Sequence, residues 1–203
     1  MDRLNTPKRM VIGISGATGA QIAIELLTKM QHYPDWETHL VISQGARRTI
    51  QIETTYSVEQ IQELATRCYP LDDVAAHISS GTFKTEGMVV VPCSMKTLSG
   101  IVSGFSLNLL LRAADVHLKE RRKLVLVARE SPLSAVHLNN MLAAANMGAI
   151  VMPPVLTYYN RPATIHDMTT HIVGKIMDVF GLQADGFKRW NEIHEQAGLA
   201  HVT

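Results

Sequence analysis

"GMVVVPCSMKTLSG", residues 87–100, decides the fold in its first half and raises a chemical question in its second. Gly87 to Pro92 is a nearly continuous apolar run with no polar alternation. That is the pattern of a strand covered on both faces, and so of a parallel sheet. Pro92 ends the strand, and a thiol, three hydroxyls and an ammonium follow where a helix should begin. One hydroxyl is enough to cap a helix. The surplus donors at Ser94, Lys96 and Thr97 therefore point to a bound polar ligand, and the free amides and positive dipole end there favour an anion.

Similar apolar runs recur at 10–15, 38–43, 123–128 and 148–153. Helical patterns lie between them at 20–30, 57–68, about 97–118 and 133–147, and an amphipathic segment at 164–181 closes the series. Strand and helix alternating in this way predict an α/β fold, a doubly wound, mostly parallel sheet with right-handed crossovers. At 203 residues the chain is expected to form one domain, 1–203, with a polar tail from about 182 in which Trp190 is a candidate anchor.

Composition narrows the function classes. Nineteen Lys and Arg balance 18 Asp and Glu, a net charge of +1, which gives no electrostatic footprint for nucleic acid or an anionic membrane. The N-terminal "MDRLNTPKRM" has no signal-peptide or anchor pattern, so a cytoplasmic location is the expectation. Cys68 and Cys93 are too few for a disulfide scaffold and read as small buried hydrophobes. The nine histidines include no convincing helical metal pair, so no metal is expected.

In such sheets ligands bind beyond the carboxyl ends of the strands. After the first strand, "GISGATGA" spaces Gly13, Gly16 and Gly19 three apart, unlike a dinucleotide fingerprint. It places Ser15 and Thr18 near helix-start amides, a ready phosphate site or else a tight turn without a ligand. Ser43 follows the second strand as the cap of the next helix. Arg129 and Glu130 follow the fourth, where the carboxylate is a candidate acid or base or half of a solvated pair. "PPVLTYYNRP" follows the fifth, and its two tyrosines and arginine either cover an aromatic ligand and donate to an anion or belong to an ordinary structural loop. Arg112 and Lys119, seven residues apart, share a helix face and form either a second cationic pocket or a solvated basic face.

Taken in order, "GISGATGA", "PCSMKTLSGI", "RAADVHLKERRKLVLVARESPL", "NMLAAANMGAIVMPP" and "YYNRP" resemble the UbiX family of flavin prenyltransferases, over about Met10 to Leu182. The group includes the B subunits of phenolic acid decarboxylase systems. The resemblance implies a Rossmann-like or flavodoxin-like flavoprotein that joins the dimethylallyl group of dimethylallyl phosphate to reduced FMN. Its product, prenylated FMN, serves a UbiD-type decarboxylase as partner. It further implies that FMN is held by Gly16, Ala17, Thr18, Ser43, Ser94, Met95, Lys96, Thr97 and Arg129, and the prenyl phosphate by Arg112, Lys119, Tyr159 and Lys175. Arg112, Lys119 and Glu130 are then catalytic, without a metal, and Ser15 is expected to hydrogen-bond the reacting edge of the flavin.

Two positions depart from the family pattern. Lys175 stands where relatives commonly carry arginine, keeping the charge but losing the two-pronged geometry. Ser106 and Leu107 stand where alanine and aspartate are usual, and the loss of that acid bears on either a subunit contact or the pocket rim. The family also implies a large homo-oligomer of dodecamer type. Two other functions compete: an FMN-dependent cysteine decarboxylase of the same fold, against which "PCSMKT" counts, and a non-catalytic flavin carrier or accessory subunit.

Overall fold

Lys8–Ile14 forms β1, whose successive residues Met10, Val11 and Ile12 are all fully buried. Neighbouring residues of a strand face opposite ways, so this sheet is covered on both sides. The structure, a computed structural model, describes residues 7–190. The other strands are β2 (Trp36–Ile42), β3 (Arg67–Tyr69), β4 (Gly87–Cys93), β5 (Lys123–Ala128) and β6 (Ile150–Val151). All pair in parallel, in the order β3-β2-β1-β4-β5-β6. The helices are α1 (Ala20–Met30), α2 (Gln44–Glu53), α3 (Val58–Glu63), α4 (Met95–Val102), α5 (Leu109–Lys119), α6 (Ala135–Asn146) and α7 (Ile165–Val179).

The doubly wound parallel sheet is as expected from the apolar runs. One face of it packs Val11, Val41, Met88, Val90, Leu124 and Leu126 against Leu98 of α4 and Leu109, Leu110 and Ala113 of α5. The chain order reverses between β1 and β4, which makes their carboxyl ends the switch point of the sheet. At that same end the pairing of β4 with β5 shifts between Val90 and Cys93.

Three expectations need correction. The helix expected over 57–68 stops at Glu63, and its last residues form the edge strand β3, too short to show a period of its own. Thr38 and Thr66 lock that edge, each hydroxyl accepting the other's backbone amide at 3.0 Å. The single helix expected from about 97 to 118 is two, because Gly104 adopts a positive φ of 68° and Asn108 caps α5 by accepting from Leu111 at 3.1 Å. Within the run 148–153 only Ile150–Val151 pairs as strand.

The chain divides into two compact units, Met1–Pro154 and Val155–Thr203. The first holds the sheet and α1 to α6, and the second holds α7. In the second, Trp190 stacks edge-on to Tyr159 at 5.0 Å, an anchoring role for that ring, while the tail beyond it lies outside the described residues. Among the described residues no helix is long and apolar enough to cross a membrane.

Candidate active site

Ser15 begins the site. It follows β1, is 1% exposed, and its hydroxyl donates to the Pro92 carbonyl at 2.9 Å while accepting the Ser94 amide at 2.7 Å. The loops after β1 and β4 are thereby clipped together at the switch point. Beside it Gly16 approaches α2 so closely that an added Cβ would lie 2.9 Å from the backbone of Gly45. Only glycine permits that approach.

Two helix starts meet at this place. Ser43 caps α2, accepting the Ala46 amide at 3.2 Å. Ser94 caps α4, accepting the Thr97 amide at 3.3 Å and donating to the Thr97 hydroxyl at 3.1 Å. Each cap satisfies one amide of the first turn, so the others face the site with the positive end of the helix dipole. Exposed Lys96 adds a formal charge at the α4 start. Cys93 is fully buried, and burial pushes its thiol up to about 12, which leaves it a packing residue with no nucleophilic role.

These elements enclose a cavity of about 530 Å³. Gly16, Ser43, Ser94, Met95, Lys96, Thr97 and Glu130 line it, all named from the sequence. Glu130 comes from the end of β5, and its carboxylate accepts the Ser131 amide at 3.0 Å. The opposite chemistry comes from Leu71, Phe105, Leu110 and Leu111, which were missed as site residues, and from Leu107, one of the two departures from the family pattern. Phe105 and Leu107 are 59% and 71% exposed, and the break between α4 and α5 is what puts them on the rim. Reading 97–118 as one helix concealed this. Gln44, Gly45 and Asn108 also line the cavity; the first two directly follow the capping Ser43, which was the available signal.

Several expected residues stand elsewhere. Ala17, Thr18 and Arg129 belong to the adjoining loops and are not part of the cavity wall, although the Arg129 amide donates to the Cys93 carbonyl at 3.0 Å. The amides at the start of α1, expected as a phosphate site, are already satisfied: Gly19 and Ala20 both donate to the Glu53 carboxylate, at 2.8 and 3.2 Å. The Ser15 hydroxyl, expected at the reacting edge of a flavin, would have to release Pro92 to donate there.

Arg112 and Lys119 do share a face of α5, and both meet the segment 79–81. Arg112 donates to the Ser79 carbonyl at 3.2 Å, and Lys119 stands against Gly81. Neither lines the cavity. Each carries its own acid, Asp115 at 2.6 Å from Arg112 and Glu120 paired with Lys119. In the second unit the Tyr159 hydroxyl hydrogen-bonds His171 at 3.3 Å. Burial, and then the charge of Lys175, hold the His171 pKa below its ordinary value.

Fold and cavity define a nucleotide-binding α/β protein of the flavoprotein class: capped helix starts with a lysine suit a phosphate, and the leucine-rich wall suits a ring system. The flavoprotein family profile matches residues 2–180. A probable UbiX-like flavin prenyltransferase from Sedimentibacter hydroxybenzoicus is 52% identical over 182 residues, 90% of this chain and 96% of the relative. The crystal structure of AnUbiX (PadA1) in complex with FMN and dimethylallyl pyrophosphate superposes with a TM-score of 0.89 at 47% identity, covering 92% of this chain and 98% of that one. The dodecameric FMN-dependent UbiX-like decarboxylase of Escherichia coli O157:H7 gives 0.87 at 49% identity, covering 90% and 98%. The chain belongs to the UbiX-like flavin prenyltransferases. The peptidyl-cysteine decarboxylase EpiD, at 16% identity and a TM-score of 0.57, shares the fold alone.

Proposed function

We propose that the protein is a flavin prenyltransferase. It joins the dimethylallyl group of dimethylallyl phosphate to reduced FMN, and the prenylated FMN passes to a UbiD-type decarboxylase. The observation that carries the reading is the cavity at the β1–β4 switch point. One part of its wall presents two capped helix starts and Lys96, another presents leucines, and Glu130 is the single acid among its lining residues.

When bound, reduced FMN supplies the electron-rich ring that accepts the allylic carbon. The residues of this chain bind, orient and move protons. Lys96 and the first-turn amides of α4 take the FMN phosphate, and Leu110 and Leu111 bound the ring space. The allylic carbon–oxygen bond breaks with its electron pair going to the phosphate. In this reading Arg112, Lys119, Tyr159 and Lys175 stabilise that leaving charge, Arg112 and Lys119 exchanging Asp115 and Glu120 for it. Glu130 holds or accepts the proton released as the new ring closes. Ser15 acts one step back, by fixing Ser94. No metal enters this scheme. We place the activity in the cytoplasm, where the free Cys68 and Cys93 stay reduced. We also propose a homo-oligomer, since the E. coli relative is a dodecamer.

The test is anaerobic incubation with reduced FMN and dimethylallyl phosphate or pyrophosphate, followed by mass spectrometry of the flavin. A gain of one dimethylallyl unit is expected. Unmodified FMN with both donors would leave a flavin carrier, and carbon dioxide released from a cysteinyl peptide would make the protein a cysteine decarboxylase.

A further inference from the structure

The face of the sheet that packs against α4 and α5 turns polar toward one edge. Arg9 stands opposite Glu37 and His39 opposite Arg67, and residues opposite or two apart in paired strands share a face, so all four project on the side of Val11 and Val41. They stand toward the amino ends of β1, β2 and β3, away from the carboxyl-end site described above. With His77 and Phe83 they line a cavity of about 120 Å³ that shares no residue with the larger one. The acid of this cavity is already engaged: Glu37 accepts from Arg9 Nε at 2.7 Å, and the Arg9 guanidinium lies 4.7 Å from the Phe83 ring centre. The Arg67 guanidinium has no hydrogen bond or ion pair among the described residues. His39 is 1% exposed, its Nδ1 lies 2.8 Å from the Tyr69 hydroxyl, and its Nε2 makes no hydrogen bond, standing 3.5 Å from the Glu37 oxygen that Arg9 holds. The charge of Asp73 is felt at Tyr69 but not at His39. A buried polar atom is ordinarily satisfied, and here one faces a cavity beside an unpaired cation.

We infer that this cavity binds one small oxyanion of the phosphate type, held by Arg67 and by the Nε2–H of His39, with exposed His77 at its mouth. The tautomer follows from the neighbour: the Tyr69 hydroxyl donates to Nδ1, which leaves the ring proton on Nε2. The planar fork of Arg67 matches two oxygens of such an ion. Two arginines disfavour a metal cation. Size sets the rest of the class, because small-molecule sites run to about 300–1,000 Å³ and this cavity admits an ion but no cofactor or nucleotide. The inference does not rest on the prenyl transfer proposed above, and none of these residues takes part in it.

The test has a crystal arm and a solution arm, both on the FMN-loaded protein so that its own phosphate site is filled. Crystals soaked in selenate should show an anomalous peak between Arg67 and His39. Calorimetric titration with inorganic phosphate should find this binding weakened about tenfold or more in Arg67→Gln. It should be unchanged in Arg48→Gln, which removes the same charge from an exposed position of α2. Displacement of phosphate by phosphoserine would mark a phosphomonoester as the ligand and its absence the free ion, and the site stands in both cases. No peak in wild type, or equal phosphate binding in the two variants, overturns the site. A peak without saturable phosphate binding in solution is an adventitious ion only and overturns it as well. Should Arg67→Gln fail to fold, Arg67→Lys decides: it keeps the charge and loses the fork, so phosphate must bind more weakly, and unchanged affinity overturns the site.

Discussion

The Ser94 amide donates to the Ser15 hydroxyl across 2.7 Å, joining residues 79 positions apart in the chain. The contact ties the glycine loop to the cap of α4. In Ser15→Ala the Pro92 carbonyl keeps a second donor, the Ser15 amide at 3.2 Å, but the Ser94 amide loses its acceptor. An amide left unpaired in this part-buried setting costs on the order of 1 kcal/mol. The variant should therefore unfold at lower urea concentration and bind FMN more weakly. Unchanged stability with prenylation lost would instead put the hydroxyl on the flavin itself.

Gly16 and Gly45 set how closely the loop after β1 meets α2. A Cβ on Gly16 would fall 2.9 Å from the Gly45 backbone, whereas one on Gly45 would lie 3.3 Å from Gly16. Neither neighbour is a flexible side-chain end, so relief requires backbone movement. Gly16→Ala should cost roughly 1–3 kcal/mol and Gly45→Ala less. Thermal unfolding of the two variants checks the order, and a milder Gly16→Ala would contradict the close packing described.

Much of this arrangement was legible in the chain. Strands buried on both faces announce themselves as unbroken apolar runs, so β1, β2, β4 and β5 were readable, and of the residues after them Gly16, Ser43, Ser94 to Thr97 and Glu130 line the cavity while Ala17, Thr18 and Arg129 do not. Elements defined by tertiary pairing were not readable. β3 exists because Thr66 and Thr38 exchange bonds and Tyr69 meets His39 at 2.8 Å, relationships with no local signature. Glu53 occupies the α1 start although it lies 34 residues beyond Gly19, a distance that no motif spans. The acids that accompany Arg112 and Lys119 were in plain view at Asp115 and Glu120, but a basic run draws the eye to its cations.

Lys96 offers a way to separate phosphate recognition from ring recognition. Among the described residues it is the only lysine or arginine of the cavity wall, at the start of α4. Lys96→Gln should weaken FMN binding about tenfold, equivalent to about 1.4 kcal/mol. Riboflavin, which has no phosphate, should bind wild type and variant alike. Fluorescence-quenching titrations with both flavins make the comparison, and equal losses for the two would remove the lysine from the phosphate.

His117 should dominate the acid limb of stability. It is 1% exposed on α5; its Nδ1 donates to the Ala113 carbonyl at 2.7 Å, and its Nε2 lies 2.8 Å from the Thr85 hydroxyl, which donates to it. Burial first, and the charge of Arg122 with it, push its pKa down to about 4 from an ordinary 6.5. Between those values the unfolded chain binds a proton that the folded chain refuses, so stability must rise with pH across this window. The contribution is complete above about pH 6.5 and is lost as pH falls toward 4, a change of about 3 kcal/mol. His39 and His171, also held low by burial, act in the same direction. Urea midpoints measured from pH 4 to 7 should climb steeply in wild type and less steeply in His117→Gln, whose amide carries no charge at either end. Parallel slopes would show that His117 is already neutral in the unfolded chain or charged in the folded one.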